Sequence, residues 1–384
     1  MTSTEDRVAL SLNCGSSSLK FALFQQDGDA FEALIEGEAE AIGTPQSRLS
    51  VSAGRDVVVS KTGPLESHEA AAARVFRLLD ERGVPPPTAI GHRVVHGGPS
   101  VRDHCLVDDR VLLALEAARV FAPLHAPAAL AVLTAARERF SERPHIACLD
   151  TAFHRNLPDV ARRLPLAASF QEAGIERYGF HGLSCESVLR QLGADAPRRI
   201  IIAHLGSGSS VTAVRSGRSV DTTMGLTPTG GVMMATRTGD LDPGLLVYLI
   251  RERGLDADGL EALVNRESGM KAVSGLSGDL RLLREAAGNE PARLAIDMYV
   301  YSVRKQIAAM AAALEGVDLV VFTGGIGQND AQARAQISGG LQWLGLRDAE
   351  TRRSAGDRAD FIEVRVLAAN EEEQIARHAI RLTR

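Results

Sequence analysis

The chain has 384 residues, too many for one ordinary domain at roughly 100–200 residues each, so two domains are expected. A hydrophobic share of 45% and a charged share of 24% exclude a disordered or fibrous chain. The net charge of −5 removes the basic footprint that non-specific nucleic-acid binding requires.

The first residues, MTSTEDRVAL, are acidic where a signal peptide would be basic. The purely apolar runs, such as Ile200–Ala203 and Leu319–Phe322, fall far short of the ~20 residues that span a bilayer. Cys14, Cys105, Cys148 and Cys185 form no C-x-x-C pair, which argues against a zinc ribbon or a redox motif. A cytoplasmic protein with no membrane partner is expected.

In chain order, residues 8–24 (VALSLNCGSSSLKFALF) read as a strand, a Gly/Ser turn and a second, alternating strand. Residues 28–66 give no clear pattern. A helix is expected over Ser67–Glu81, stopped by Gly83 and the prolines that follow, and a strand over AIGHRVV. Helices are expected over 109–120 and 127–140, separated by Pro123 and Pro127, and then a strand in IACLD at 146–150. Residues 200–214 (IIIAHLGSGSSVTAV) repeat the opening hairpin 191 residues later (Gly15 to Gly206), about half the chain length. That spacing suggests a duplicated domain. Pro291–Leu314 reads as a long Ala-rich helix, LVVFT at 319–323 as a buried strand, and GGIGQND as the opening of a helix. The alternation predicts an open mixed sheet with helices in each half.

Three Gly-rich turns, Asn13–Ser18, His204–Ser210 and Gly324–Asn329, could let backbone amides approach a phosphate. Each alone is more often only a tight turn. None contains G-K-[ST], so a P-loop is not indicated, and no G-x-G-x-x-G opens a helix. Arg93 in GHRVVHGG and Arg237 in ATRTGD sit among small residues with room for an anion, and arginine matches carboxylate or phosphate oxygens bidentately. His181 lies in YGFHG. His92 and His96, at i,i+4 spacing, read as structural because the glutamate of H-E-x-x-H is missing, and His125 in PLHAP reads as a structural turn residue. Asp150 ends a strand, where open α/β sheets place functional carboxylates, and Glu371–Glu373 begin the last helix. Phosphate loops, two arginines, a histidine and sparse carboxylates together describe phosphoryl transfer, in which positioning and charge neutralisation do most of the work.

NCGSSSLKF, GHRVVHGG, APLH, DTAFH, RYGFHG, HLGSGSS, TRTGDLDPG, FTGGIGQN and NEE occur in the order found in the acetate kinase family, which the chain resembles from about residue 8 to its end. The resemblance implies an α/β fold of two duplicated ribonuclease H-like (actin-type ATPase) domains, with mixed sheets flanked by helices and the active site in the interdomain cleft. The implied domains are 1–150 plus about 372–384, and 151–371, the second serving nucleotide binding and dimerisation. It implies ATP as co-substrate and Mg²⁺, with Mn²⁺ as a substitute, acetate as acceptor, and a homodimer. Carried over residue by residue, Asn13 and Glu371 match the metal positions and Lys20 a residue assigned to ATP. Arg93 matches the substrate arginine, and Val95, Leu124, Phe180 and Pro228 the pocket for the acetate methyl. Asp150 matches the acidic active-site residue, and His181 and Arg237 the transition-state stabilisers. His204, Leu205, Gly206, Ser207 and Gly208, then Asp279, Leu280 and Arg281, then Gly325, Ile326, Gly327, Gln328 and Asn329 match the three nucleotide-binding stretches.

The chain departs from the family at Ser207 and Gln328, in place of Asn and Glu. It also departs at Leu183, Cys185, Ala126 and Thr229–Gly230. Two other readings remain: a propionate or butyrate kinase of the same family, and a non-transferring actin-like ATPase.

Overall fold

The computed structural model describes residues 7–54, 56–286, 288–346 and 361–383. The chain divides into two compact units, Met1–Arg155 with Asn370–Arg384, and Asn156–Ala369.

The first unit carries β1 (Arg7–Cys14), β2 (Leu19–Asp27), β3 (Ala30–Glu40), β4 (Arg48–Ala53), β5 (Asp56–Thr62), β6 (Ala89–Val94), β7 (Cys105–Leu106) and β8 (His145–Leu149). They form one sheet in the order β5-β4-β3-β2-β1-β6-β8-β7. The opening hairpin is antiparallel, pairing Asn13 with Lys20, while β1, β6 and β8 run parallel. The segment without a sequence pattern is therefore β3, β4 and β5, an antiparallel extension of the hairpin.

In the parallel core every residue of β1 after Arg7 is buried. Val8, Leu10, Leu12 and Ile90 meet the apolar faces of the helices His68–Arg82 and Ala126–Arg139. The opposite face receives the C-terminal helix Glu371–Arg381, which returns to this unit and packs on β1 and β6. Gly91 makes that approach possible, because a Cβ there would lie 2.5 Å from Ile375 Cγ2. The expected helix over 109–120 is split: an α-helix covers Asp109–Ala117 and a 3₁₀ turn covers Ala118–Phe121. The Asp108 carboxylate accepts from the Val111 amide and fixes its start.

His92 on β6 and His145 on β8 form a buried pair, with His92 Nε2 2.9 Å from His145 Nδ1. His145 Nε2 lies 3.2 Å from the Phe140 carbonyl, which can only accept. His145 therefore carries its proton on Nε2, His92 donates from Nε2, and His92 Nδ1 is left bare and buried.

The second unit carries β9 (Arg199–Leu205), β10 (Ser209–Arg215), β11 (Arg218–Thr222), β12 (Leu319–Thr323) and β13 (Glu363–Val366) in the order β11-β10-β9-β12-β13. Again the first three strands are antiparallel and the next two parallel. The second sheet repeats β3-β2-β1-β6-β8 of the first strand for strand, so each unit has the ribonuclease H-like topology. Its core forms where Ile201, Ala203, Val211 and Ala213 meet the helix Glu290–Leu314. That helix presents Ala292, Ala295, Ile296, Tyr299, Val303 and Ile307 at helical spacing to the sheet. The Asn289 side chain caps its start by accepting from the Ala292 amide.

Candidate active site

Arg93 and Asp150 in the first unit, and the glycine turns after β9 and β12 in the second, lie at the carboxyl ends of parallel strands, where open α/β sheets bind ligands.

In the first unit, β6 brings Arg93 beside Asp150, one residue past β8. Arg93 donates from Nε (3.0 Å) and Nη2 (2.6 Å) to Asp150 Oδ2, and from Nη1 to Asn13 Oδ1 at 3.1 Å. Asn13 Nδ2 in turn donates to Glu371 Oε2 (3.2 Å) and Glu372 Oε1 (2.9 Å), at the first turn of the C-terminal helix. The network fixes the amide orientation, since arginine only donates and carboxylates only accept. Asp150 is only 1% exposed and the Arg93 side chain 16%. Burial pushes the Asp150 carboxyl above its ordinary value against the pull of Arg93. Burial disfavours the Arg93 cation, but Asp150, Glu371 and Glu372 outweigh it and its affinity for the proton rises.

Three carboxylates thus act on one guanidinium. Glu371 and Glu372 offer hard oxygen donors with surplus negative charge, which suit a divalent cation, while Asn13 turns its Nδ2 toward them and its Oδ1 toward Arg93. Lys20, opposite Asn13 on β2, lines a hollow of about 340 Å³ with Glu36, Glu38 and Glu372. Val95 is buried and Leu124 partly buried in this unit.

In the second unit, His181 adopts a left-handed backbone (φ 60°) as it enters the helix Gly182–Leu192. Its Nδ1 lies 2.9 Å from Ser210 Oγ, and its ring stacks on His204 with centroids 4.1 Å apart. His204 Nδ1 lies 2.8 Å from Ser184 Oγ. Arg237 donates from Nη1 to the Pro228 carbonyl at 3.1 Å. Gly208 joins the two groups: a Cβ there would lie 3.4 Å from both Arg237 Nη1 and His181 Nε2. The loop between β9 and β10 therefore runs directly against the histidine and the arginine, and a side chain would crowd both. Phe180, next to His181, is fully buried.

The same loop enters a cavity of about 780 Å³. Gly206, Ser207, Asp279, Leu280, Arg281, Gly325, Ile326 and Asn329 line it, so all three expected stretches contribute. Its volume falls in the range of small-molecule sites. Leu205 is buried in the core, and Gln328 Nε2 donates to the Leu367 carbonyl, so neither lines the cavity. His204, Gly208 and Gly327 are not lining residues either.

The sequence model of the acetokinase family matches residues 8–377. The chain belongs to that family. An acetate kinase of Clostridium botulinum (strain Loch Maree / Type A3) is 40% identical over 395 residues, covering 97% of this chain and 99% of the relative. Among solved structures, a propionate kinase from Francisella tularensis subsp. tularensis SCHU S4 matches with a TM-score of 0.89 and 32% identity, covering 98% of this chain and 100% of that one. Porphyromonas gingivalis acetate kinase matches with a TM-score of 0.84 and 33% identity, over the same shares.

Within this acetokinase chain, several site residues escaped the sequence reading. Glu372 shares Asn13 with Glu371. Ala235, Gly278, Arg284, Asp330 and Ala331 complete the cavity. Arg284 donates to Asp330 at 3.0 Å, and Asp330 caps the helix Ala331–Gly339. The available signal was Asp330 itself, an acidic cap placed directly after the third glycine turn.

Proposed function

We propose that the chain is an acetate kinase, transferring the γ-phosphoryl group of ATP to acetate to give acetyl phosphate and ADP, reversibly and by direct in-line transfer. The observation that carries this reading is the β9–β10 loop, whose Gly206 and Ser207 line the cavity while Gly208 lies against both His181 and Arg237. A nucleotide seated in the cavity would thus have its phosphates beside an arginine and an imidazole.

An acetate oxygen attacks the γ-phosphorus as the bond to the ADP oxygen breaks, and the electron pair leaves on ADP. Acetate, with a pKa near the ~4.3 of a Glu side chain, is already ionised at pH 7. No general base is needed. Asp150, whose Oδ2 takes bonds from Arg93 Nε and Nη2, serves instead to hold that arginine. The bonds to Asp150 and Asn13 use three of the five Arg93 N–H groups, and a substrate carboxylate would take the others. Arg237 and His181 neutralise the charge spread over the transferring group. Val95, Leu124, Phe180 and Pro228 are assigned to the acceptor's alkyl end. Asn13 and Glu371 would hold Mg²⁺, or Mn²⁺ in its place, which when bound neutralises the phosphate oxygens of ATP.

A second reading, propionate as acceptor, is favoured by the likeness to a propionate kinase structure. One methylene is worth only ~1–3 kcal/mol, so propionate should at least be a secondary substrate. Acyl phosphate trapped with hydroxylamine, from ATP and Mg²⁺ with acetate, propionate or butyrate, tests both. Acetate turnover above propionate and little butyrate is expected. A preference for propionate overturns the acceptor, and no acyl phosphate from folded protein overturns the reaction.

A homodimer is supported by exposed Leu245, Val247, Tyr248 and Ile250 on the helix Pro243–Arg253, and by exposed Leu294, Met298 and Tyr301 on the helix Glu290–Leu314. Light scattering on the purified chain should give twice the monomer mass. A cytoplasmic setting fits four free cysteines, and no helix among the described residues is long and apolar enough to cross a membrane.

A further inference from the structure

Arg177 lies four residues before His181 in the chain. Its side chain is three-quarters buried and spent on backbone carbonyls. Nε donates to Ala161 at 2.9 Å and Nη1 to Thr222 at 2.7 Å, with Thr223 and Met224 carbonyls at 3.3 and 3.4 Å from the same Nη1. Asp221 stays at 3.9 Å, so the guanidinium gathers carbonyls where β11 ends rather than forming a close ion pair.

Two consequences follow in opposite directions along the chain. The Tyr178 and Gly179 amides both donate to the Gly225 carbonyl, at 3.0 and 3.3 Å, so residues 177–179 are tied to 222–225. Two residues later His181 takes its left-handed backbone, φ 60°, a conformation that a non-glycine residue keeps only where its surroundings enforce it. In the other direction, Thr223 Oγ1 accepts from the Val211 amide, next to Ser210, whose hydroxyl meets the His181 ring. Thr223 also packs under Gly231, where a Cβ would lie 2.5 Å from the Thr223 Cβ. Gly231 exchanges bonds with Asp240, closing the loop that carries Arg237.

We infer that Arg177 is a positioning residue that sets both transition-state groups, His181 through its own backbone and Arg237 through Thr223 and Gly231. The assignment rests on the acetate kinase reading above. Lysine cannot replace it, because a single ammonium lacks the planar fork that reaches Ala161 and Thr222 together.

The test is Arg177→Lys in the full chain, assayed by trapped acetyl phosphate alongside thermal unfolding. A fall in kcat on the order of 10²-fold is expected, with KM for acetate changed by less than about twofold, since displacement of a catalytic group by ~1 Å costs that much. In a His181→Ala background the same substitution should cost at least about tenfold less, because coupled residues are not additive. Equal factors in both backgrounds, or a rise in KM at unchanged kcat, overturn the inference. If the lysine variant does not fold, Thr223→Val takes its place, removing only the acceptor of the Val211 amide. Its kcat should fall about tenfold with KM retained, and a wild-type kcat overturns the inference. A wild-type chain that makes no acetyl phosphate would instead end the functional reading.

Discussion

The two units solve the same folding problem with the same strand order, yet their sites are built on opposite principles. Past β6 and β8, the first unit packs charge against charge: a buried guanidinium, a carboxylate 1% exposed, an amide and two more carboxylates in one closed network. Past β9 and β12, the second unit uses glycine turns and helix starts around an open volume, with its arginine held by a carbonyl. A network that satisfies itself can present one fixed fork to a small anion. A cavity walled by glycine amides instead suits a large, multiply charged ligand. The shared topology provides the place, and the loops decide the chemistry.

The sharpest way to break this contrast is to delete one arginine. Arg237→Ala should lower kcat about 10³-fold with little change in KM for acetate, as expected for a charge used only in the transition state. If steady-state kinetics show KM rising at constant kcat, the second unit's arginine binds ground-state substrate and the division of labour fails.

In the first unit the equivalent stroke is Asp150→Asn. It removes the buried charge that balances the largely buried Arg93 guanidinium, and breaking such a pair costs about 3 kcal/mol. Denaturant unfolding should show that loss, and KM for acetate should rise as Arg93 loses its orientation. Unchanged stability and KM would mean that the ion pair is incidental to Arg93.

Much of this contrast was legible in the sequence, and what was not has a physical reason. The repeated hairpin shows because both copies are buried on two faces, so β1 and β9 read as apolar runs ending in glycine. The extension β3 to β5 did not, because in β3 only Ile35 and Ala39 are buried and no period of two survives. Arg93 and Asp150 were each visible, but their pairing across 57 residues was not. Arg177 was missed for another reason: its partners are backbone carbonyls, which leave no residue-type pattern.

A smaller effect sharpens the first unit's dependence on the returning C-terminal helix. Gly91→Ala places a Cβ 2.5 Å from Ile375 Cγ2 and 3.0 Å from its carbonyl, so the helix must shift. A stability loss of about 2 kcal/mol is expected from overpacking, with a raised Mg²⁺ requirement because Glu371 moves with the helix. Activity titrated against Mg²⁺ checks this. An unchanged requirement would separate Glu371 from the metal.

The smallest expected effect is a pH dependence confined to the first unit. Burial holds both His92 and His145 below the ordinary 6.5, with each other's proximity adding to the effect on His92. Above about pH 6.5 both states carry neutral imidazoles and the pair contributes no pH dependence. Below it, the unfolded chain takes up protons that the folded chain refuses, because a proton on His92 Nδ1 would be buried without an acceptor. Stability therefore falls as pH drops from about 6.5 toward the lowered folded values, by at most ~1.4 kcal/mol per pH unit for each histidine. His92→Gln keeps a donor near His145 Nδ1 but cannot be protonated, so its melting temperature should decline less steeply between pH 6.5 and 5. Parallel curves for the two proteins would show that His92 is protonated equally in both states, and that its bare nitrogen has found a partner after all.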